Sequence, residues 1–122
     1  MMGNRKKILI CDDDEGIIDL LEMILEDTGH EIIPEQNSLN VKGLIDSGKP
    51  DLVILDLWMP VLSGDQVLGM IRKNPLTKDL PVIVISASRN GEEIATAAGA
   101  NAFVAKPFDV DHLLRIVEQS IH

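Results

Sequence analysis

Tyrosine is absent from this chain of 122 residues, and two phenylalanines and one tryptophan supply all its aromatic surface. That leaves no platform of rings on which nucleic-acid bases would stack. Positive charge is scarce as well. Eleven lysines and arginines stand against twenty aspartates and glutamates, a formal net charge of −9. Direct nucleic-acid binding is therefore not expected, because it needs a basic face to displace counterions from phosphates. The single cysteine, Cys11, permits no disulfide framework and suits a reducing, cytoplasmic setting. No apolar run approaches the ~20 residues of a membrane span, so membrane insertion is not expected. Met1–Lys7 lacks the apolar core of a signal peptide.

What remains is an ordinary globular composition, 45% hydrophobic and 25% charged, at a length that suits one domain over residues 1–122. Five short strand-like runs stand out: Ile8–Cys11, Glu31–Pro34, Leu52–Leu55, Val82–Ile85 and Phe103–Ala105. The near-continuous apolar ones read as strands buried on both faces of a parallel sheet. Between them lie segments with helical spacing. Glu15–Thr28 carries Ile17, Leu20, Leu21, Ile24 and Leu25 on one face, with Asp14 as its N-cap and Gly29 as a left-handed stop. Ser38–Ser47 is closed by Gly48 and Pro50, and Ser63–Asn74 ends at Pro75. Glu92–Ala98 is short and alanine-rich, with Gly99 behind it. Asp109 caps a last helix bearing Val110, Leu113, Leu114, Val117 and Ile121. Five strand-helix repeats predict an α/β fold, a parallel sheet covered on both faces through right-handed crossovers.

Four of the strand runs stop at residues with useful chemistry. The first runs into Asp12 and Asp13, the third into Asp56, the fourth into Ser86 and the fifth into Lys106. Ligands of open parallel sheets bind beyond the carboxyl ends of the strands. Three carboxylates, a hydroxyl and an ammonium are thus expected at one edge. Clustered carboxylates repel, so without a cation at least one should hold protons more readily, and Mg²⁺ suits such a set of hard oxygen ligands. A carboxylate nucleophile, a metal and fixed positive charge are the parts of phosphoryl transfer through an aspartyl phosphate.

These motifs resemble the receiver domain of two-component response regulators, and those of chemotaxis in particular. The resemblance rests on Asp12-Asp13, on Asp56 with Met59-Pro60 and Gly64, on Ser86-Ala87, and on Lys106-Pro107-Phe108, in the family's order and near its spacing. It implies a flavodoxin-like three-layer sandwich with strand order 2-1-3-4-5. It also implies a phosphorylation-dependent switch rather than a turnover enzyme, with Asp56 accepting a phosphoryl group from a histidine kinase or histidine phosphotransfer protein. Asp13, Asp56 and the Trp58 backbone carbonyl would hold Mg²⁺, and Asp12 would act through water. Ser86 and Lys106 would grip the phosphoryl group, and Phe103 would be the switch aromatic. The Lys106–Pro107 bond is usually cis in this family. The resemblance sends the output to an unidentified downstream protein, since no DNA-binding or catalytic module is legible in the chain.

Taken singly, several of these residues have plainer readings. Ser86 alone is equally a strand-end hydroxyl, Lys106 a solvated lysine and Phe103 a core ring; their joint placement favours function. Cys11 reads as a small buried hydrophobe, and His30, His112 and His122 as surface residues without metal-ligand spacing. Two departures from the family pattern stand out. Trp58 is bulky for a position that, with Ser88, flanks the phosphoryl group, and its indole is expected to restrict the attacking water. The nineteen residues between Ser86 and Lys106 are fewer than usual, a shortfall expected in the fourth helix or the loop before it. Two rival readings are a magnesium-dependent phosphohydrolase and a phosphate-independent interaction domain. Leu57 and Trp58 offer no general acid for the first, and the intact acid pair, Asp56, Ser86 and Lys106 oppose the second.

Overall fold

A computed structural model describes residues 5–121, so His122 and the first four residues lie outside the description. Five strands form one parallel sheet: β1 (Lys7–Cys11), β2 (Glu31–Glu35), β3 (Leu52–Asp56), β4 (Val82–Ser86) and β5 (Ala102–Ala105). Their spatial order is β2-β1-β3-β4-β5, as the resemblance implied. The intervening helices are α1 (Glu15–Glu26), α2 (Val41–Gly48), α3 (Gly64–Lys73), α4 (Gly91–Ala98) and α5 (Val110–Ser120).

Successive strand side chains point to opposite faces, and both faces are buried, which divides the core in two. Leu9, Val53, Leu55, Val82 and Val84 pack with residues of α2, α3 and α4. Ile8, Ile10, Ile54, Ile83, Ile85 and Val104 pack with α1 and α5 on the other side. Every residue of β3 and β4 is buried, which is why those runs are apolar throughout. Pro34 can stand inside β2 because that strand lies at the sheet's edge, where a missing N–H costs no ladder bond.

The helix ends follow local chemistry. Asp14 caps α1 by accepting hydrogen bonds from the Gly16 and Ile17 amides, and Gly29 has φ +81° beyond that helix. Ser63 and Gln66 form a reciprocal capping box at the start of α3. The second helix differs from expectation. Ser38–Asn40 form a 3-10 turn before α2, and the left-handed position falls on Lys49 (φ 47°) rather than Gly48. There the Lys49 amide donates to the Ile45 carbonyl, and Gly48 completes the helix. His30 is a further correction, for it is half-buried rather than a surface residue. Its Nδ1 accepts a hydrogen bond from the Lys6 amide at 3.1 Å, which ties the chain entering β1 to the start of β2.

Strand register decides where the chemistry falls. Cys11 aligns with Leu55, Asp56 with Ile85, and Ser86 with Ala105. The carboxyl ends of β1, β3, β4 and β5 therefore finish level with one another, and the residues following them share one edge.

Candidate functional site

Asp12 follows β1 and Asp56 ends β3, the first fully buried and the second 5% exposed. Asp13 faces solvent beside them. Oxygens of all three carboxylates lie within 4.8 Å of one another, an all-oxygen set open to water on one side. That donor set fits Mg²⁺, which prefers hard oxygens and retains several waters. Asp12 is held in place from behind, since its Oδ1 accepts the Asp14 amide at 2.9 Å.

Lys106, which follows β5, reaches across the sheet edge into this cluster. Its Nζ stands 2.9 Å from Asp12 Oδ2 and 3.2 Å from Asp56 Oδ1. Burial works against its charge, but the two carboxylates outweigh burial and raise the ammonium's pKa above the ordinary lysine value. Asp56 moves the other way from a usual acid, up to about 6. Burial is the largest cause, the negative charge of Asp12 is next, and Lys106 only partly offsets them. The repulsion expected from the sequence is present, but desolvation exceeds it.

Ser86 ends β4 and is buried. Its Oγ accepts the Ser88 amide at 3.0 Å, which leaves the hydroxyl proton free to be donated elsewhere. The Lys106 amide donates to the Ser86 carbonyl at 2.9 Å, so the hydroxyl and ammonium residues are joined through the backbone. The Lys106–Pro107 bond is cis. Phe103 is half-buried in β5, against the α2–α4 side of the core. A Cβ at Gly91 would sit 3.1 Å from both the Phe103 ring and Ser86 Cβ, so the start of α4 presses on both residues.

The loop after β3 is fastened at both ends. The Leu57 amide donates to the Ile85 carbonyl and the Gly64 amide to the Leu57 carbonyl. Gly64 is required there, because a Cβ would collide with the Asp56 carbonyl oxygen and stand 2.9 Å from Leu57 Cα. Trp58 sits at the mouth with its residue 53% exposed, while Met59 turns inward with its sulfur 3.5 Å from Cys11 Sγ. The Cys11 thiol is pushed up to about 12, first by burial and then by Glu35 and the neighbouring aspartates, so it stays protonated and packs as a hydrophobe.

Three features here were not legible in the sequence. Val61 adopts φ +70°, a left-handed conformation unusual for a β-branched residue. Ser38 donates to the Pro60 carbonyl and accepts the Leu62 amide, anchoring the same loop to the turn before α2. Arg72 donates to the carbonyls of Gly99, Lys78 and Leu80 and to Asn101 Oδ1, clamping α3 to the turns that lead into β4 and β5. Each partner is distant in the chain or set by a local φ that no motif announces.

The chain matches the family model of the response regulator receiver domain over residues 8–118. It is 35% identical over 120 residues to the transcriptional regulatory protein KdpE of Staphylococcus aureus, across 94% of this chain and 51% of that one. It is 33% identical over 114 residues to an uncharacterized 14.6 kDa protein of Leptolyngbya boryana, across 92% and 87%. The crystal structure of the receiver domain of NtrX from Brucella abortus superposes with a TM-score of 0.84 at 36% identity, covering 93% of this chain and 96% of that one. The receiver domain of the Francisella response regulator 1452 gives 0.85 at 27% identity, covering 94% and 95%. The chain spans about half the length of most of the curated regulators it matches, KdpE, RpaA and PhoB among them. A match over nearly the whole length, on a sheet of the expected strand order, establishes that this chain belongs to the receiver domains of response regulators.

Proposed function

We propose that this chain is a phosphorylation-dependent signalling switch whose phosphoacceptor is Asp56. The observation that carries the reading is the Lys106 ammonium, 3.2 Å from the Asp56 carboxylate on an edge shared with two further acids. In the reaction, an Asp56 oxygen attacks the phosphorus of a phosphohistidine on a histidine kinase or histidine phosphotransfer protein. A P–O bond forms, the P–N bond breaks, and its electron pair returns to the imidazole. Asp13, Asp56 and the Trp58 carbonyl would hold Mg²⁺, with Asp12 contributing through water. When bound, that ion supplies positive charge for the transferred oxygens and favours the ionised form of Asp56.

The chain's own residues do the rest. Lys106 exchanges one carboxylate partner for a phosphoryl oxygen, and the Ser86 hydroxyl donates its free proton to another. Because Ser86, Phe103 and the start of α4 are in contact, movement of the hydroxyl reaches the ring and the helix. Moving a switch from 1:99 to 99:1 needs about 5.5 kcal/mol. The new charge-assisted bond from Ser86 supplies roughly 1.5–3 kcal/mol of that. The output is contact with a downstream protein, and the net charge of −9 argues against direct nucleic-acid binding by these residues. Residues 1–122 form one receiver unit in this reading, acting in the cytoplasm, where histidine kinases present their phosphohistidine.

The test is phosphotransfer with Mg²⁺, from a histidine kinase or acetyl phosphate, to the native chain and to Asp56→Asn. One phosphoryl group per native chain and none on the variant is the expected result. Equal labelling of both would end the assignment of Asp56, and repeated turnover on small phosphate esters would favour a phosphohydrolase. Mg²⁺ should also change the fluorescence of Trp58, the sole indole.

A further inference from the structure

We propose that the groove between α2 and α3 is a docking site for an acidic amphipathic helix of a protein partner. α2 and α3 cover the same face of the sheet without closing over it. Between them lies a cavity of about 510 Å³ with Ile45, Val67 and Ile71 at its floor and Leu39 and Met70 at its rim. It continues, past Ile45 and Thr77, into a second hollow of about 690 Å³ beside Leu76. Leu39, Met70 and Leu76 are 55%, 43% and 92% exposed. They make up three of the eight large hydrophobics left exposed among the described residues, and they surround one groove. Apolar side chains gathered this way mark a contact surface, whereas scattered ones are ordinary.

Charge selects the occupant. Lys42, Lys49 and Lys73 line the two hollows, three of the seven lysines in an otherwise acidic chain. None of the three makes an ion pair within 4.0 Å among the described residues. Against them the groove offers two carboxylates, Asp46 and Asp79, so it keeps one positive charge in excess on a chain of net −9. An acidic segment is repelled by most of this surface and admitted here. Shape selects a helix. The groove runs beside α3, whose ten residues rise about 15 Å, enough for two to three turns presenting anchors at i, i+3 or i+4, and i+7. The open edges of the sheet, where an extended strand would add, lie at β2 and β5 instead.

The groove ends on the loop behind Asp56. Leu62 lines it, and the Leu62 amide and Pro60 carbonyl are both bonded to Ser38 Oγ. Docking here is nonetheless independent of the chemistry proposed for Asp56, and its test uses the unphosphorylated chain.

The probe is a synthetic peptide cross-linked to remain helical, with leucines on one face and glutamates elsewhere, beside a twin carrying lysines in place of the glutamates. Amide chemical shifts of the isotope-labelled full chain are followed through titration. Saturable shifts should cluster at Leu39, Lys42, Met70, Lys73 and Leu76, with the glutamate peptide binding at least about tenfold tighter than its twin. The double variant Lys42→Glu/Lys73→Glu should weaken that binding by roughly tenfold while leaving amide shifts outside the groove unchanged. Equal binding of the two peptides, shifts confined to another face, or no saturable binding would overturn the proposal. So would sedimentation showing that a second copy of the chain already covers these residues.

Discussion

Replacing the phosphoacceptor by its neutral isostere should make the metal-free protein more stable. Asp56 is buried and its pKa stands at about 6 against an ordinary 3.8. Holding it ionised in the fold therefore costs about 3 kcal/mol at neutral pH, at roughly 1.4 kcal/mol per unit. Asp56→Asn removes that charge and keeps the shape, while Lys106 retains Asp12 at 2.9 Å as its partner. The attraction of Lys106 is already contained in that pKa, so the net gain is about 3 kcal/mol. For a domain of this size that is roughly 12 °C in Tm. The pH course follows from linkage. A raised native pKa adds stability that is complete below the unfolded value and is lost as pH rises through the native one. The two proteins should thus match below about pH 4, diverge between about 4 and 6, and differ by a constant amount above. Urea unfolding in EDTA across that range is the assay. Mg²⁺ should narrow the gap by stabilising the native chain, by about 2.7 kcal/mol at a hundred times its Kd, and the variant less. A variant less stable than the native chain at pH 7 in EDTA, or a gap that persists in acid, would refute the reasoning.

Other consequences can be checked singly. Gly64→Ala should lower stability by about 3 kcal/mol, because its Cβ meets the backbone of Asp56 and Leu57, which has nowhere to move; thermal unfolding reads this directly. Val61→Gly should raise stability by about 1 kcal/mol by relieving the left-handed backbone at an exposed position, and a lower Tm would show that the loop is not strained there. Trp58→Asn should speed loss of the phosphoryl group by about tenfold, some 1.4 kcal/mol of barrier, if the indole limits the attacking water. Unchanged or slower dephosphorylation would remove that role from Trp58.

Much of this molecule was legible residue by residue. Apolar runs that lack a polar alternation announced β1, β3 and β4, because burial on both faces leaves no position for a solvated side chain. Asp14, Gly29, Ser63 and Gly99 marked helix ends, since capping and left-handed turns depend on the residue and its immediate neighbours. The end of α2 was misplaced for an instructive reason. Gly48 and Lys49 both lie where a stop is possible, and the one-residue choice comes from how α2 delivers the chain to Pro50 and β3. His30 was read as a surface residue because its partner, the Lys6 amide, lies 24 positions away. The Arg72 clamp, with partners up to 29 positions away, was invisible on the same grounds, and the strain at Val61 because no motif announces a local φ.

Local pattern and composition determined the alternating strands and helices, the acidic surface, and the identity of the residues at the strand ends. Those properties reside in short stretches, where hydrophobic periodicity, caps and charge act within a few residues. Only the packed structure decided that the oxygens of Asp12, Asp13 and Asp56 come within 4.8 Å of one another, that Lys106 bridges two of these residues, and that burial lifts the Asp56 pKa. Those depend on strand register and on the exclusion of water, quantities that exist only once distant parts of the chain are in contact.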